Sequence, residues 1–225
     1  MISIIVPVLN EEKTIEKTLE NILSLKGEKE LIVVDGGSSD NTINISKSYA
    51  KVIKSDKGRA KQMNAGALEA EGDKLWFVHS DSILDSASIE AIETVIEKGY
   101  VGGGLKLYFY DSDSCFLKYI EKTSSLRAKY LGIYFGDQGI FVDKHIFHKV
   151  GGFPEIEIME DWAFSKNLRR LGKLKLLKTP IGTSARRFVK GGPIRTHILM
   201  HKLKLLYILG VSPSKLKKLY KEHYE

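Results

Sequence analysis

The strongest constraint on this chain is a repeated punctuation. Short β-branched apolar runs each end abruptly in a polar cluster, and a run with helical spacing follows. Ile2–Val8 ends at Asn10, Leu31–Val34 ends at Asp35-Gly36-Gly37-Ser38-Ser39-Asp40, and Leu75–His79 ends at Ser80-Asp81-Ser82. Runs of this length and composition predict buried strands. Between them, Ile15, Leu19, Ile22 and Leu23 recur at helical spacing, as do Ala60, Met63, Ala67 and Ala70, and then Ile89, Ile92 and Ile96. Strand-helix alternation predicts an α/β domain with a mostly parallel central sheet flanked by helices. Ligands of open α/β sheets bind beyond the carboxyl ends of the strands, so Pro7–Glu11, Asp35–Asp40 and His79–Asp85 are expected to line one crevice.

Further along, the sequence predicts helices near 41–50 and 59–70 and a strand over Val101–Tyr110. A mixed helix is expected over Ser114–Tyr130, a strand over Gly139–Val142 and a helix over Glu160–Leu171. From Thr196 onward two helices separated at Ser212-Pro213 form a tail. The expected organisation is a single domain of 225 residues. Residues 1–110 form a ligand-binding half, 111–195 a second half, and 196–225 a basic amphipathic tail.

Charge sharpens this division. The net charge is +7, but residues 166–225 hold 16 Lys/Arg against two acids, and residues 1–165 hold 19 against 26. An acidic body with a basic last quarter is unlike an even cationic coat, and no motif with interleaved aromatics is present, so nucleic acid is not the expected partner. The single cysteine, Cys115, excludes a disulfide framework and is expected to be a buried small residue. No apolar run reaches the roughly 18 residues of a membrane span. The nearest, Ile198–Val211, is interrupted by His201, Lys202 and Lys204. With no signal peptide visible, the chain reads as cytoplasmic. Its tail packs on the body, lies on an anionic membrane surface as a peripheral contact, or joins a second copy as a homodimer.

The motifs in their order and spacing resemble family 2 glycosyltransferases of the GT-A fold. They are Ile4–Glu12, Ile32–Asp40, Gly58–Ala67, Gly136-Asp137-Gln138-Gly139 and Met159-Glu160-Asp161. In detail they are closest to a subgroup known as selenodomain-associated transferases. The resemblance covers nearly the whole chain. It implies a nucleotide-diphosphate sugar donor, most often UDP-linked, and transfer of the sugar to an acceptor hydroxyl with inversion. The acceptor is left unidentified.

The resemblance also implies roles for residues. Asp35 would accept a hydrogen bond from the base, with Gly36 allowing close approach of the backbone. Pro7, Asn10 and Glu11 would form the opposite wall, and Asn10 also suits the cap of the first helix. Arg59 opens a helix whose N-terminus favours phosphate. Gln62 and Asn64 would reach the donor sugar or ribose. His79-Ser80-Asp81 stands where the family carries DxD, so Asp81 and His79 would hold Mg²⁺ or Mn²⁺ against the diphosphate. His79 replaces the first acid, and a packed, non-ligating histidine is the alternative. Asp161 would be the general base supported by Glu160, against the plain reading of two acids in a first helical turn. Arg187 or its neighbour Arg186 would clamp the diphosphate or an anionic acceptor, or else belong to a solvated basic strand. Two rivals stand beside this reading. One is a catalytically weak nucleotide-sugar-binding module. The other is a nucleotidyltransferase, which would want a Gly- and Lys-containing loop where Pro7-Val8-Leu9-Asn10-Glu11 stands.

Overall fold

A computed structural model describes residues 1–222. His223 and the last residues of the expected tail lie outside the described residues. The first half alternates as the apolar runs predict: β1 (Ile2–Val8), α1 (Ile15–Ser24), β2 (Lys29–Asp35), α2 (Thr42–Lys47), β3 (Lys51–Lys54), α3 (Arg59–Glu69) and β4 (Lys74–Phe77). Then follow β5 (Ile83–Leu84), α4 (Ser88–Glu97), β6 (Gly102–Phe109), α5 (Cys115–Leu131), a 3-10 turn (Gly136–Gln138), β7 (Phe141–Asp143) and α6 (Lys144–Val150). The chain continues with α7 (Glu160–Leu171), β8 (Leu174–Thr183), α8 (Arg186–Gly191), α9 (Pro193–Ile208) and α10 (Pro213–Glu222).

Among the described residues the strands form one eight-stranded sheet in the order β3-β2-β1-β4-β7-β6-β8-β5. The β3-β2-β1-β4 half is parallel, as expected. Beyond it β7 runs antiparallel to both β4 and β6, β8 is parallel to β6, and β5 is antiparallel to β8. The expectation of a mostly parallel sheet therefore describes the first half, and the second half is mixed.

Both faces are covered, which explains why the strands read as continuous apolar runs. In β1, Ile2, Ile4, Val6 and Val8 pack with Ile15, Leu19 and Ile22 of α1 and Ile89 and Ile92 of α4. Ile5 points the other way, toward Ala60, Met63 and Ala67 of α3. On that face Phe77, Phe147, Phe153 and Phe164 form an aromatic cluster, with Phe153 stacked on Phe164 at 4.1 Å. The short edge strand β5 is tied back toward α1: Asn21 Oδ1 accepts from the Leu84 N–H at 2.7 Å and its amide donates to the Leu84 carbonyl at 3.1 Å.

The tail packs on the body. Leu203 of α9 and Leu216 of α10 are fully buried with Met159, and Phe135, Ile156, Ile158 and Trp162 surround them. Trp162 is accordingly a packing residue, half-buried against Phe135 and Tyr207. Ile194, Ile198, Leu205 and Ile208 remain exposed along α9. Among the described residues no helix is long and apolar enough to cross a membrane.

Several local expectations are corrected. The helix expected near 41–50 ends at Lys47, and residues 51–54 form β3 at the sheet edge. Gly139 sits in left-handed backbone and ends the 3-10 turn, so β7 starts only at Phe141. Arg186 and Arg187 open a helix rather than ending a basic strand. Cys115 is exposed at the start of α5, where a first-turn position leaves it no facing element.

Candidate active site

The loops after β1 and β2 are zipped to each other. Asn10 has left-handed backbone, at φ 56°. Its backbone N–H donates to Ser38 Oγ at 3.0 Å, and its side-chain Oδ1 accepts from the Ser39 N–H at 2.8 Å. Asn10 therefore joins two loops; the turn before α1 is made by Thr14 instead. The Glu11 N–H donates to Thr42 Oγ1, and Asp40 Oδ1 accepts from the Thr42 N–H, so Asp40 serves the start of α2.

Asp35 is 1% exposed, and its carboxylate accepts from the Gly37 and Ser38 N–H groups at 2.9 and 3.0 Å. It shapes the turn that Gly36 and Gly37 permit. Gly36 is needed for a steric reason: a Cβ there would lie 2.9 Å from the Gln62 amide carbon. Gln62 is 5% exposed, and its Nε2 donates to the carbonyls of Val8 and Val34, both at 2.8 Å. Asn64 donates to the Phe153 carbonyl at 2.9 Å and accepts from the Phe153 N–H at 2.8 Å. The two amides expected to reach a sugar or ribose both bond to backbone here. Gln62 clasps the ends of β1 and β2, and Asn64 fixes the Gly151-Gly152-Phe153 turn. Gln62→Leu should cost about 2 kcal/mol by removing donors from two buried carbonyls. Urea denaturation checks this, and an unchanged midpoint would show the clasp to be idle.

The segment after β4 lies across the same mouth. Thr18 Oγ1 donates to the Ser80 carbonyl at 2.8 Å, which anchors the buried Ser80. The Asp81 side chain is 10% exposed and has Arg186 Nη2 3.4 Å from Oδ2. Burial raises the Asp81 carboxyl above its ordinary value, while Arg186 pulls it down. Arg186 also grips both Glu11 oxygens at 3.1–3.3 Å. One guanidinium thus bridges the wall after β1 and the acid after β4. Both neighbouring arginines are exposed; Arg186 makes these contacts, and the Arg187 guanidinium lies 5.9 Å from the Tyr220 ring centroid.

His79 is half-buried, and its Nε2 is buried without a hydrogen-bond partner. That nitrogen packs against Gly136, where a Cβ would come within 2.4 Å. Burial, then Arg59, Arg187 and Arg186, push the imidazole well below its ordinary value, so it is neutral. Asp85 accepts from the Ala87 N–H and so caps the turn before α4. Among the described residues no group of three or more potential ligands comes together for a metal ion.

Opposite this segment stands the start of α7. Met159 is left-handed at φ 69°, and this turns Glu160 and Asp161 inward, 5% and 7% exposed. Asp161 Oδ2 accepts from the Gly136 N–H at 3.0 Å, and Oδ1 from the Trp162 N–H at 2.8 Å. Arg59 Nη1 lies 3.4 Å from Glu160 Oε1. Burial, then Glu160, push the Asp161 carboxyl up to about 7, against the opposing pull of Arg59. A small pocket lined by Pro7, Arg59, His79, Gly136, Phe153 and Asp161 brings these elements together.

Glu11, Asp81 and Arg186 thus meet in one cluster, and Arg59, Glu160 and Asp161 with Gly136 in another. Sequence reasoning missed two cations beside it, Arg127 in α5 and Lys204 in α9. Neither belongs to a motif; the signal for Lys204 was a charge interrupting an apolar run.

Known proteins resemble this chain in fold and, over part of it, in sequence. The solved mannosyltransferase PcManGT from Pyrobaculum calidifontis, in complex with GDP-Man and Mn²⁺, superimposes with TM-score 0.73 at 19% identity, covering 99% of this chain and 69% of that one. Staphylococcus aureus TarS 1–349 in complex with UDP gives TM-score 0.67 at 21% identity, covering 79% and 57%. These likenesses show the GT-A fold. Poly-β-1,6-N-acetyl-D-glucosamine synthase of Staphylococcus aureus is 37% identical over 84 residues, 34% of this chain and 20% of that protein. The chain therefore spans about a fifth of the length of the curated relatives it matches. Residues 3–153 match the profile described as glycosyl transferase family 2, two thirds of the chain, at the level of the family rather than any subgroup. With that match over the strands, loops and 3-10 turn that build the mouth, the chain belongs to glycosyl transferase family 2.

Proposed function

We propose that the protein transfers a sugar from a nucleotide-diphosphate donor, UDP-linked in the first instance, to an acceptor hydroxyl with inversion. The observation that carries this reading is Asp161: a buried carboxylate pinned by the Gly136 N–H, with its carboxyl raised to about 7, at the pocket shared with His79 and Arg59. A base poised near neutrality suits removal of a hydroxyl proton. The acceptor O–H proton passes to Asp161 as the oxygen bonds to the anomeric carbon. The bond from that carbon to the donor's diphosphate breaks, and its electron pair leaves on the diphosphate. Glu160 keeps negative charge beside the oxocarbenium-like carbon, and Arg59 balances the pair.

The family's divalent cation fits in a reduced form. Asp81 supplies one nearly buried carboxylate. A Mg²⁺ or Mn²⁺ ion held by one carboxylate and the substrate's own phosphates is a usual arrangement, and it would neutralise charge on the leaving diphosphate. His79 is better read as a packed residue, since its buried Nε2 abuts Gly136. We assign Pro7, Asn10, Glu11, Asp35 and Gly36 to the base and ribose walls, and Arg186 with Arg187 to the diphosphate side.

A panel of nucleotide sugars, each with and without Mn²⁺, tests this by thermal shift and by release of nucleoside diphosphate. A cognate donor at a hundred times its Kd should stabilise the fold by about 2.7 kcal/mol. If no nucleotide sugar raises the Tm or is consumed, the reading fails. Binding without turnover would favour the nucleotide-sugar-binding module.

A further inference from the structure

Phe135, just ahead of the 3-10 turn, carries a cation near its ring twice over. The Arg127 guanidinium carbon lies 4.3 Å from the ring centroid, and Lys204 Nζ lies 5.2 Å from it. Arg127 is fixed: its Nε donates to the Ile133 carbonyl at 3.2 Å and its Nη2 to Gln138 Oε1 at 2.6 Å, bonds that leave out Nη1. Both side chains are half-buried. Among the described residues neither has a carboxylate within ion-pair distance. Asp137 contributes a buried Oδ1 with no hydrogen-bond partner beside them. Burial, then Arg127, push the Lys204 ammonium down to about 8, while Asp137 and Asp161 pull the other way. Asp137 offsets part of the charge of these two half-buried cations, and an anion seated against them would balance the remainder.

Arg127 and Lys204 come from α5 and α9, elements other than those that carry Arg59, Arg186 and Arg187. Both are drawn to Asp137 and Asp161, as Arg59 also is. The Gly136 partner of Asp161 opens the 3-10 turn that Arg127 braces through Gln138.

We infer that Arg127 and Lys204 form an acceptor subsite that takes a phosphate or carboxylate carried by the molecule whose hydroxyl Asp161 deprotonates. The acceptor is thereby an anionic alcohol. The inference rests on the transferase reading for its meaning, since it names the second substrate of that reaction. An arginine fork and a lysine point charge together suit a phosphate group.

Calorimetry on the full chain tests it, with UDP, sn-glycerol 3-phosphate and neutral glycerol as probes. Wild type should bind glycerol 3-phosphate and not glycerol. Lys204→Gln and Arg127→Gln should each weaken glycerol 3-phosphate by about tenfold or more, while UDP changes by less than about twofold. Lys204→Arg should restore binding, which a merely structural role for the lysine would not require. Vesicles of phosphatidylglycerol against phosphatidylcholine distinguish a lipid-borne phosphate from a soluble one: retention on the anionic vesicles that is lost in Lys204→Gln supports a lipid acceptor. Binding of neither phosphate, or binding that survives Lys204→Gln, overturns the inference. Loss of UDP binding with a Lys204-dependent phosphate site intact would instead overturn the transferase reading.

Discussion

Asp161→Asn should lower sugar transfer by about 10²–10⁴-fold while leaving donor affinity unchanged, because the amide keeps the shape of the carboxylate and loses its basicity. The wild-type pH profile should carry an acid limb near pH 7, where burial and Glu160 place the Asp161 carboxyl. Activity is then lost as pH falls through that value. Stability runs the other way. In the unfolded chain this carboxyl ionises near its ordinary 3.8, and in the folded chain it holds its proton to about 7. Wild type therefore loses stability as pH rises between those values, and Asp161→Asn does not. Asn can accept from only one of the Gly136 and Trp162 N–H groups, so the variant gives up one hydrogen bond at every pH, and what should vanish is the fall of Tm with pH between those values. A variant that transfers within tenfold of wild type, with the acid limb still in place, would remove Asp161 from the reaction.

Gly103→Ala should unfold the protein more readily by about 3 kcal/mol, seen as a fall of roughly 10 °C in Tm. A Cβ at Gly103 would stand 1.9 Å from the Lys175 carbonyl oxygen, which is backbone of the neighbouring strand and cannot rotate away. Its neighbours are nearly as tight: a Cβ at Gly102 would meet the Phe141 carbonyl oxygen at 2.5 Å, and one at Gly104 would meet Tyr134 at 2.6 Å. The three glycines let β6 lie close between β7 and β8, just before the register shift between Gly104 and Lys106. The 3-10 turn that offers the Gly136 N–H to Asp161 follows directly on Tyr134, so loss of activity should accompany loss of stability. An unchanged Tm would mean that β8 slides to make room.

The first half of the fold was legible because its strands are buried on both faces and its turns are polar. Ile2–Val8 could hardly be anything else once α1 and α3 covered its two sides. What escaped were elements whose identity is decided by neighbours. Lys51–Lys54 has exposed ends and only two half-buried residues, too short to carry a period, and it is a strand because β2 offers it an edge. Ile83–Leu84 is a strand only because β8 lies beside it. The site divided in the same way. Asp161, Glu160 and Arg59 sit in motifs, and the structure brings them together. Gln62 and Asn64 sit in a motif too, but their amides meet backbone, a use that residue type and position could not distinguish from ligand contact. Arg127 and Lys204 were invisible because they come from helices 77 positions apart in sequence, and only the packing of α9 near Phe135 makes them neighbours.

The contact between Glu11 and Arg186 spans 175 residues. At about 5–20 residues per second, a ribosome needs roughly 10–35 s to make the second partner after the first. Asp81 is made within that interval, so a chain that has reached it and not yet Arg186 has both carboxylates of this wall and no guanidinium to bridge them. A fragment ending at residue 153 would include all of the family-matched segment and still lack the cation that closes this wall. Closure of this wall thus waits on the arrival of the basic quarter, although the strands it joins are made first.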